Sequence, residues 1–230
     1  MHSRIAGLAV AAVAVFSSAA SAQENVTFSS GRVYGGISAG VVIPESTSFN
    51  ASTSSGGITT TGSGAFEFKN GYSVSGFGGY KINPYMRGEV ELGYTAFDYD
   101  KVTGTFTATN GSSSATVSGS AALEGEVQSV IGLARAVAAP LGSGKVTPLL
   151  GVGVGFAATD EEITKIGSTA VNATKSHTDM ALEGMAGVEM EFGRNFDLGA
   201  RYRYMWINSG GNGIDNFAAH NFLGTAAYKF

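Results

Sequence analysis

The sequence predicts an all-β fold: a transmembrane, antiparallel, up-and-down β-barrel of eight strands. Three observations support this fold class. Apolar and polar residues alternate with a period of two, most clearly from Phe196 to Trp206. The alternating segments reach the roughly 9–11 residues that a tilted strand needs to cross a bilayer, whereas strands of soluble proteins average about 5–6. The connections between the segments are alternately short and long, which is typical of membrane barrels.

Composition excludes several other classes of protein. The 230 residues are 43% hydrophobic and 14% charged, with 34 Gly and no Cys. The absence of Cys excludes disulfides, thiolate metal sites and cysteine nucleophiles. The net charge of −4 and the lack of any basic run argue against a nucleic-acid partner. We therefore predict no cofactor and no metal site.

The N-terminus has the pattern of a cleaved export signal. A basic start is followed by an apolar run over residues 5–16, and Ala20-Ser21-Ala22 supplies a small-residue cleavage pattern before Gln23. The alternative, a membrane anchor, needs about 18 or more apolar residues, and this run is shorter. Residues 1–22 are thus predicted to be a signal peptide, and residues 23–230 a barrel domain.

The mature chain divides into eight alternating segments separated by turn residues. They cover residues 32–43, 70–82, 85–99, 121–138, 146–159, 179–192, 196–207 and 218–230. Short connections lie at residues 83–84, 140–145 and 193–195. Long, Ser/Thr/Gly-rich connections, which we expect to be mobile and exposed loops, lie at residues 44–69, 101–120, 160–178 and 208–217.

Charged residues mark one face of several segments. If Phe196, Leu198, Tyr202 and Trp206 face lipid, Arg201 and Arg203 face the interior. The same alternation predicts eight interior charges: Arg87, Glu89, Glu91, Glu124, Glu126, Glu183, Arg201 and Arg203. Opposite charges in a narrow interior should pair, and arginine can hold two carboxylates at once.

The expected interior is too narrow for a wide channel. Eight strands enclose a space that their own side chains just fill. Gly151, Gly153 and Gly155 on one segment, however, leave a wall without side chains through which some water could pass. A plugged interior and a narrow pore therefore both stay open at this stage. A soluble β-sandwich also stays open, and it would differ by having a polar outer face.

The last segment carries the most specific signal. Phe222, Gly224, Ala226, Tyr228 and Phe230 share one face of a strand that ends in an aromatic residue. This resembles the C-terminal strand of Gram-negative outer-membrane barrels. The whole mature chain is similar to the OmpA-type and opacity-type small barrels, and within these to the porin-like surface antigens of alphaproteobacteria.

The resemblance implies a location and partners. It implies an integral protein of the outer membrane with short periplasmic turns and long extracellular loops, in contact with lipid and lipopolysaccharide. It also implies that periplasmic chaperones and the barrel-assembly machinery handle the chain, and that the machinery recognises Phe222, Tyr228 and Phe230 as the assembly signal. OmpA itself has a peptidoglycan-binding domain, and that function is not carried over.

Three functions fit these expectations. The first is a structural or surface-antigen role in the envelope. The second is a narrow, weakly cation-selective porin, which would follow from an acid excess inside. The third is an adhesin or ligand-binding protein that contacts a host or extracellular ligand through its loops.

No catalytic residue is predicted, and we expect no enzyme. Asp98, Asp100, His177 and Asp179 fall at the loop ends of two segments, and acid/His clusters there are known from the omptin surface proteases. The order His177-Thr178-Asp179 reverses the omptin pattern, and omptins are longer, ten-stranded barrels.

Overall fold

Eight antiparallel strands close into a ring in the computed structural model, which describes residues 32–208 and 216–230. The ring order is β4-β1-β10-β9-β8-β7-β6-β5, and β5 pairs with β4 to complete it. The described residues form ten strands in all: β1 (Val33–Pro44), β2 (Thr47–Ser55), β3 (Ile58–Phe68), β4 (Gly71–Asn83), β5 (Met86–Asn110), β6 (Ser113–Ala138), β7 (Val146–Ile166), β8 (Thr169–Phe192), β9 (Phe196–Ile207) and β10 (Phe217–Lys229).

The predicted all-β, antiparallel, up-and-down order is confirmed, because consecutive ring strands pair antiparallel throughout. The ring has the predicted eight strands, but the described chain has ten strands in all. The two additional strands, β2 and β3, lie within the first long connection.

The outer surface of the ring is apolar. Ile37, Leu150, Val152 and Val154 are each more than half exposed, and Phe192 is 70% exposed. A soluble sandwich would place such side chains inside and polar ones outside, so that alternative does not fit. Within the described residues, no helix is long and apolar enough to cross a membrane.

Three of the long connections are β-hairpins instead of irregular loops. β2 pairs with β3, and the outer parts of β5 and β6, and of β7 and β8, continue their pairing well beyond the ring. Gly56, Gly111 and Gly167 each have φ near +59° at the hairpin tips, a conformation that glycine adopts without strain. Of the fourth long connection, residues 209–215 lie outside the described chain.

The hairpins build a four-stranded sheet beyond the ring, in the order β2-β3-β5-β6. We call this sheet the extension. At its base, Lys101 lies 3.0 Å from the Glu67 carboxylate, and the hydrogen bond that Lys101 donates to this carboxylate raises the pKa of Lys101. Both side chains are exposed, so this pair contributes little to stability.

The interior of the ring is layered along its axis. Apolar side chains fill the hairpin end, where Phe97, Tyr99, Leu123, Val127 and Val42 are buried together. A second apolar layer below them contains Ile131, Leu133, Met205 and Ile207. Buried charged side chains occupy the middle, towards the short turns.

Candidate functional site

Four arginines and four glutamates come together inside the ring. Within the described residues, these eight buried side chains form one continuous network, and their formal charges cancel: Arg87, Arg135, Arg201 and Arg203 with Glu89, Glu91, Glu183 and Glu189. We call this set the charge network. Four ring strands, β5, β6, β8 and β9, contribute to it, because the period of two places every second residue of a strand inside.

Arg135 is the centre of the charge network. Its side chain is fully buried and contacts three carboxylates: Glu183 at 2.6 Å, Glu91 at 2.9 Å and Glu89 at 3.0 Å. Nε and Nη2 both donate to Glu183, which gives a two-point contact with one carboxylate. Such paired N–H···O contacts suit the planar guanidinium and hold it in one orientation.

The other arginines extend the charge network towards both ends of the ring. Arg201 donates to both oxygens of Glu89 and also to Glu189, at 2.7 Å. Arg87 donates to the second oxygen of Glu189, likewise at 2.7 Å, so this carboxylate bridges two arginines. Arg203 contacts Glu91 and lies 3.6 Å from Glu183.

Neutral side chains complete the hydrogen bonding only in part. Tyr34 donates to Glu89 at 2.7 Å, and Arg201 lies 4.6 Å from the centre of the Phe77 ring. Ser73 accepts a long contact from Arg203. The Nε atoms of Arg201 and Arg203 are buried without a hydrogen-bond partner among the described residues.

A smaller ion pair group lies at the short-turn end. Lys229 contacts Glu191 at 2.6 Å and Asp197 at 3.0 Å. These contacts link the last ring strand, β10, to the short-turn ends of β8 and β9.

The structure places six of the eight predicted interior charges inside the ring: Arg87, Glu89, Glu91, Glu183, Arg201 and Arg203. The prediction that Glu124 and Glu126 lie inside is wrong. Both side chains are exposed, and Glu124 pairs with the exposed Lys165 at 2.8 Å. Leu123 and Val127 point inwards in their place. The physical reason is that the interior is apolar at this height, so the apolar face of β6 is the inner one.

Sequence reasoning missed two members of the charge network. Arg135 lies on the same face of β6 as Leu123 and Leu133, opposite to Glu124 and Glu126, the two residues of this strand that the sequence predicts to be inside. Glu189 lies on the same face of β8 as Glu183, so the alternation in that strand could have identified it. The predicted set has three arginines and five glutamates. With Glu124 and Glu126 outside, and with Arg135 and Glu189 added, the charge network has four of each, which removes the acid excess on which the porin alternative rested.

The glycine wall does not leave an open path. A Cβ at Gly151 would lie 3.0 Å from Met185 Cε, and one at Gly153 would lie 3.4 Å from Glu183 Cβ and 3.6 Å from Arg135 Cγ. Side chains from the neighbouring strands β6 and β8 therefore occupy the space in front of these glycines.

The loop-end acids do not form one cluster. Asp98 and Asp100 are exposed on one face of β5, whereas His177 and Asp179 lie on the inner face of β8, 3.2 Å apart. These four side chains are thus split between two surfaces. His220 lies near the outer surface, where Tyr202 hydrogen-bonds its Nδ1 at 2.8 Å and Glu45 lies 2.9 Å from its Nε2.

The aromatic residues of the predicted assembly signal share the outer face of β10. Phe222, Tyr228 and Phe230 are all exposed there, and Tyr228 packs edge-on against Phe230 and Phe196. The predicted signal peptide, with Ala20, Ala22 and Gln23, lies outside the described residues.

Comparison with known proteins gives distant structural likenesses. Neisserial surface protein A is 20% identical, with a TM-score of 0.47, covering 86% of this chain and 97% of its own. The attachment invasion locus protein of Yersinia pestis is 15% identical, with a TM-score of 0.45 and coverages of 86% and 99%. The outer membrane protease OmpT of Escherichia coli is 9% identical, with a TM-score of 0.49 and coverages of 90% and 99%. At such distances these likenesses say nothing about activity.

No curated protein matches the chain. The model of the outer membrane protein β-barrel domain, in contrast, matches residues 8–230. That match spans nearly the whole sequence and agrees with the closed ring and its apolar exterior. The chain therefore belongs to the outer membrane protein β-barrel family.

Proposed function

We propose that this integral outer-membrane barrel does not conduct and serves as a structural protein and surface antigen of the envelope. The observation that carries the proposal is the charge network, which is electrically neutral and crosses the interior. An ion that passed would have to displace Arg135, whose side chain is fully buried and held by three carboxylates.

Two features support a closed interior over the narrow-porin alternative. The charge network contains equal numbers of arginines and glutamates, so it has no net negative charge that would select cations. Apolar side chains fill the hairpin end of the same interior, and an apolar constriction also opposes the passage of ions.

Single-channel conductance in a planar bilayer tests the proposal. We expect no steps from mature protein that is first shown to be folded by the different gel migration of unheated and boiled samples. A variant with Arg135→Ala and Glu183→Ala removes one cation and one anion from the centre of the charge network, and it should show small steps if the charge network is the barrier. Stable steps from the unchanged protein would contradict the proposal.

The orientation and export of the barrel belong to the same proposal. The short turns at residues 83–86 and 192–196 face the periplasm, and the extension faces outwards, among lipopolysaccharide. A cleaved signal peptide exports the chain, and periplasmic chaperones deliver it to the barrel-assembly machinery, which reads Phe222, Tyr228 and Phe230. The similarity to OmpA-type, opacity-type and alphaproteobacterial surface antigens is consistent with this arrangement.

A second candidate, loop-mediated adhesion, is favoured by one face of the extension. Cross-strand registers align polar residues in three consecutive rows: Asn50, Ser63, Thr105, Ser118; Ser52, Thr61, Thr107, Thr116; and Ser54, Thr59, Thr109, Ser114. Eleven of these twelve side chains carry a hydroxyl group, and none is charged. We call this surface the hydroxyl face. An uncharged array of donors and acceptors suits a hydroxyl-rich ligand such as a polysaccharide.

Charge insertion distinguishes this candidate from a purely structural role. Thr61→Lys with Thr107→Lys disrupts the hydroxyl face, and Thr60→Lys with Ala108→Lys is the matched control on the opposite face of the same two strands. Adhesion would be supported if the variant with Thr61→Lys and Thr107→Lys lost binding to cells or polysaccharide while the control variant kept it. Equal binding by both variants and the unchanged protein would remove the hydroxyl face as the contact.

A further inference from the structure

A cavity of about 160 Å³ lies at the hairpin end of the barrel, above the charge network. The base of the β2–β3 hairpin forms one side of it through Thr47, Phe66 and Phe68. The inner face of the barrel wall forms the other side. A cavity of about 150 Å³ is large enough to hold benzene, so this one can hold a molecule of similar size.

Aromatic rings dominate the wall of the cavity. Phe97 and Phe217 stack in parallel with their ring centres 5.4 Å apart, and Phe68 meets both edge-on, at 5.4 and 5.8 Å. Phe66 and Tyr99 also line the cavity, with ring centres 6.1 Å apart. These five rings present several faces and edges to one small space. The negative face of an aromatic ring attracts a cation within about 6 Å of its centre.

The polar side of the cavity is acidic. Glu161 lines it and lies 3.9 Å from His177. Burial most of all, and then the negative charge of Glu161, raise the pKa of Tyr99. Two polar atoms of lining residues, Thr47 Oγ1 and His177 Nδ1, are buried without a hydrogen-bond partner among the described residues. Thr47 is only 4% exposed, so its hydroxyl group has been removed from bulk water without compensation.

We propose that this cavity binds a small alkylammonium cation of the size of choline. The aromatic wall supplies cation–π attraction and apolar contact for the N-alkyl groups, and Glu161 supplies the opposing charge. The unpartnered Thr47 hydroxyl is available to a hydroxyl or ester oxygen on the same ligand. A purely apolar molecule would leave this hydroxyl group unsatisfied and would gain nothing from the Glu161 carboxylate.

Choline itself is the probe, measured by saturation-transfer NMR of its N-methyl protons with the folded full-length mature barrel in a maltoside detergent. Phosphocholine and amine oxide detergents must be avoided, because they carry the same kind of headgroup. We expect saturable binding, with the uncharged isostere dimethylbutanol binding about tenfold more weakly. Equal binding of choline and dimethylbutanol, or no saturable binding of either, would overturn the proposal.

Two substitutions connect the signal to this cavity. Glu161→Gln should weaken choline binding by about tenfold, whereas Glu162→Gln, on the exposed face of the same strand, should not change it. Phe66→Leu provides a second variant that lies on the β2–β3 hairpin and not in the ring. Unchanged affinity in both Glu161→Gln and Phe66→Leu would place the ligand elsewhere and overturn the assignment.

A comparison of ligands identifies the source of the cation. Glycerophosphocholine carries the same trimethylammonium group with a phosphodiester attached, as in a lipid headgroup. Binding as tight as that of choline would support a headgroup ligand, and weaker binding would support a free cation. The conductance experiment does not depend on either result.

Discussion

At the scale of single residues, the most consequential side chain is Arg135. It is a cation with no exposed surface, and three carboxylates depend on it. Glu89 and Glu91 have second arginine partners in Arg201 and Arg203, but Glu183 has only a 3.6 Å contact with Arg203 besides Arg135. Buried ion pairs add little net stability, yet removing one partner leaves an uncompensated charge.

We expect Arg135→Leu to lower the free energy of unfolding by about 3–5 kcal/mol, because Glu183 is left buried almost alone. Urea unfolding of the barrel in lipid vesicles measures this change. The matched control is Lys165→Leu, which breaks the exposed pair with Glu124 and should cost less than about 1 kcal/mol. Adding Glu183→Leu to Arg135→Leu should recover part of the loss. Equal effects of Arg135→Leu and Lys165→Leu would show that the charge network is not structural.

At the scale of elements, the extension depends on its hairpin turns. Gly111-Ser112 joins β5 to β6, and Gly111 has φ +59°, where residues with a Cβ are strained. Gly119 lies on the same hairpin with open space around a Cβ and without a positive φ. One glycine is thus required by the backbone and the other is not.

Gly111→Ala should destabilise the β5–β6 hairpin by about 1 kcal/mol and leave the ring intact. The rate of limited proteolysis of the folded barrel measures the stability of the hairpin. Gel migration of unheated samples shows whether the ring is folded. Gly119→Ala is the matched control and should be cleaved no faster than the unchanged protein. If the two variants were cleaved equally fast, the turn conformation at Gly111 would not matter.

The elements also show what the sequence could reveal. All eight ring strands were predictable, because period two persists where one strand face meets an apolar environment and the other does not. The predicted bounds hold at the short-turn ends, but β5, β6, β7 and β8 continue well beyond their predicted hairpin ends. The facing of β6 was not predictable. Its inner residues Leu123, Val127 and Leu133 are more apolar than Glu124 and Glu126 on its outer face, which is the reverse of the contrast expected for a strand between lipid and a polar interior.

The hairpins were hidden for a different reason. Alternation of Ser, Thr and Gly produces no contrast in hydropathy, although Thr favours strands. The sequence does contain a signal for hairpins in its turn residues. Gly56-Gly57 and Asn110-Gly111 favour tight turns, and each is flanked by residues that favour β structure. The charge network and the hydroxyl face depend on the register between strands that are far apart in the chain. This register cannot be predicted from any single segment.

At the scale of the whole molecule, the ring and the β2–β3 hairpin are separable. β1 pairs directly with β4 up to the cross-strand partners Val42 and Gly71, so the ring closes without the hairpin. The hairpin contributes instead to the mouth, where Phe66 and Phe68 pack on the interior aromatic residues.

Replacing residues 44–70 by a short Asn-Gly turn should therefore leave a folded ring, because Val42 and Gly71 are already neighbours. We expect gel migration typical of a folded barrel and β-rich circular dichroism. We also expect the variant to lack choline binding and to remain non-conducting, since the charge network is untouched. A chain that fails to fold after this replacement would show that the hairpin is part of the folding unit.

The seam between β1 and β10 has a consequence for biogenesis. Tyr34 pairs with Lys229, so the final closure joins residues that are almost the whole described chain apart. Until that step, two strand edges carry unpaired backbone groups that hydrocarbon cannot satisfy. A partly synthesised barrel thus has no stable place in the bilayer. Stable insertion therefore requires the last strand, β10. The pairing of β10 with β1 is the one step that distinguishes a complete ring from an incomplete one.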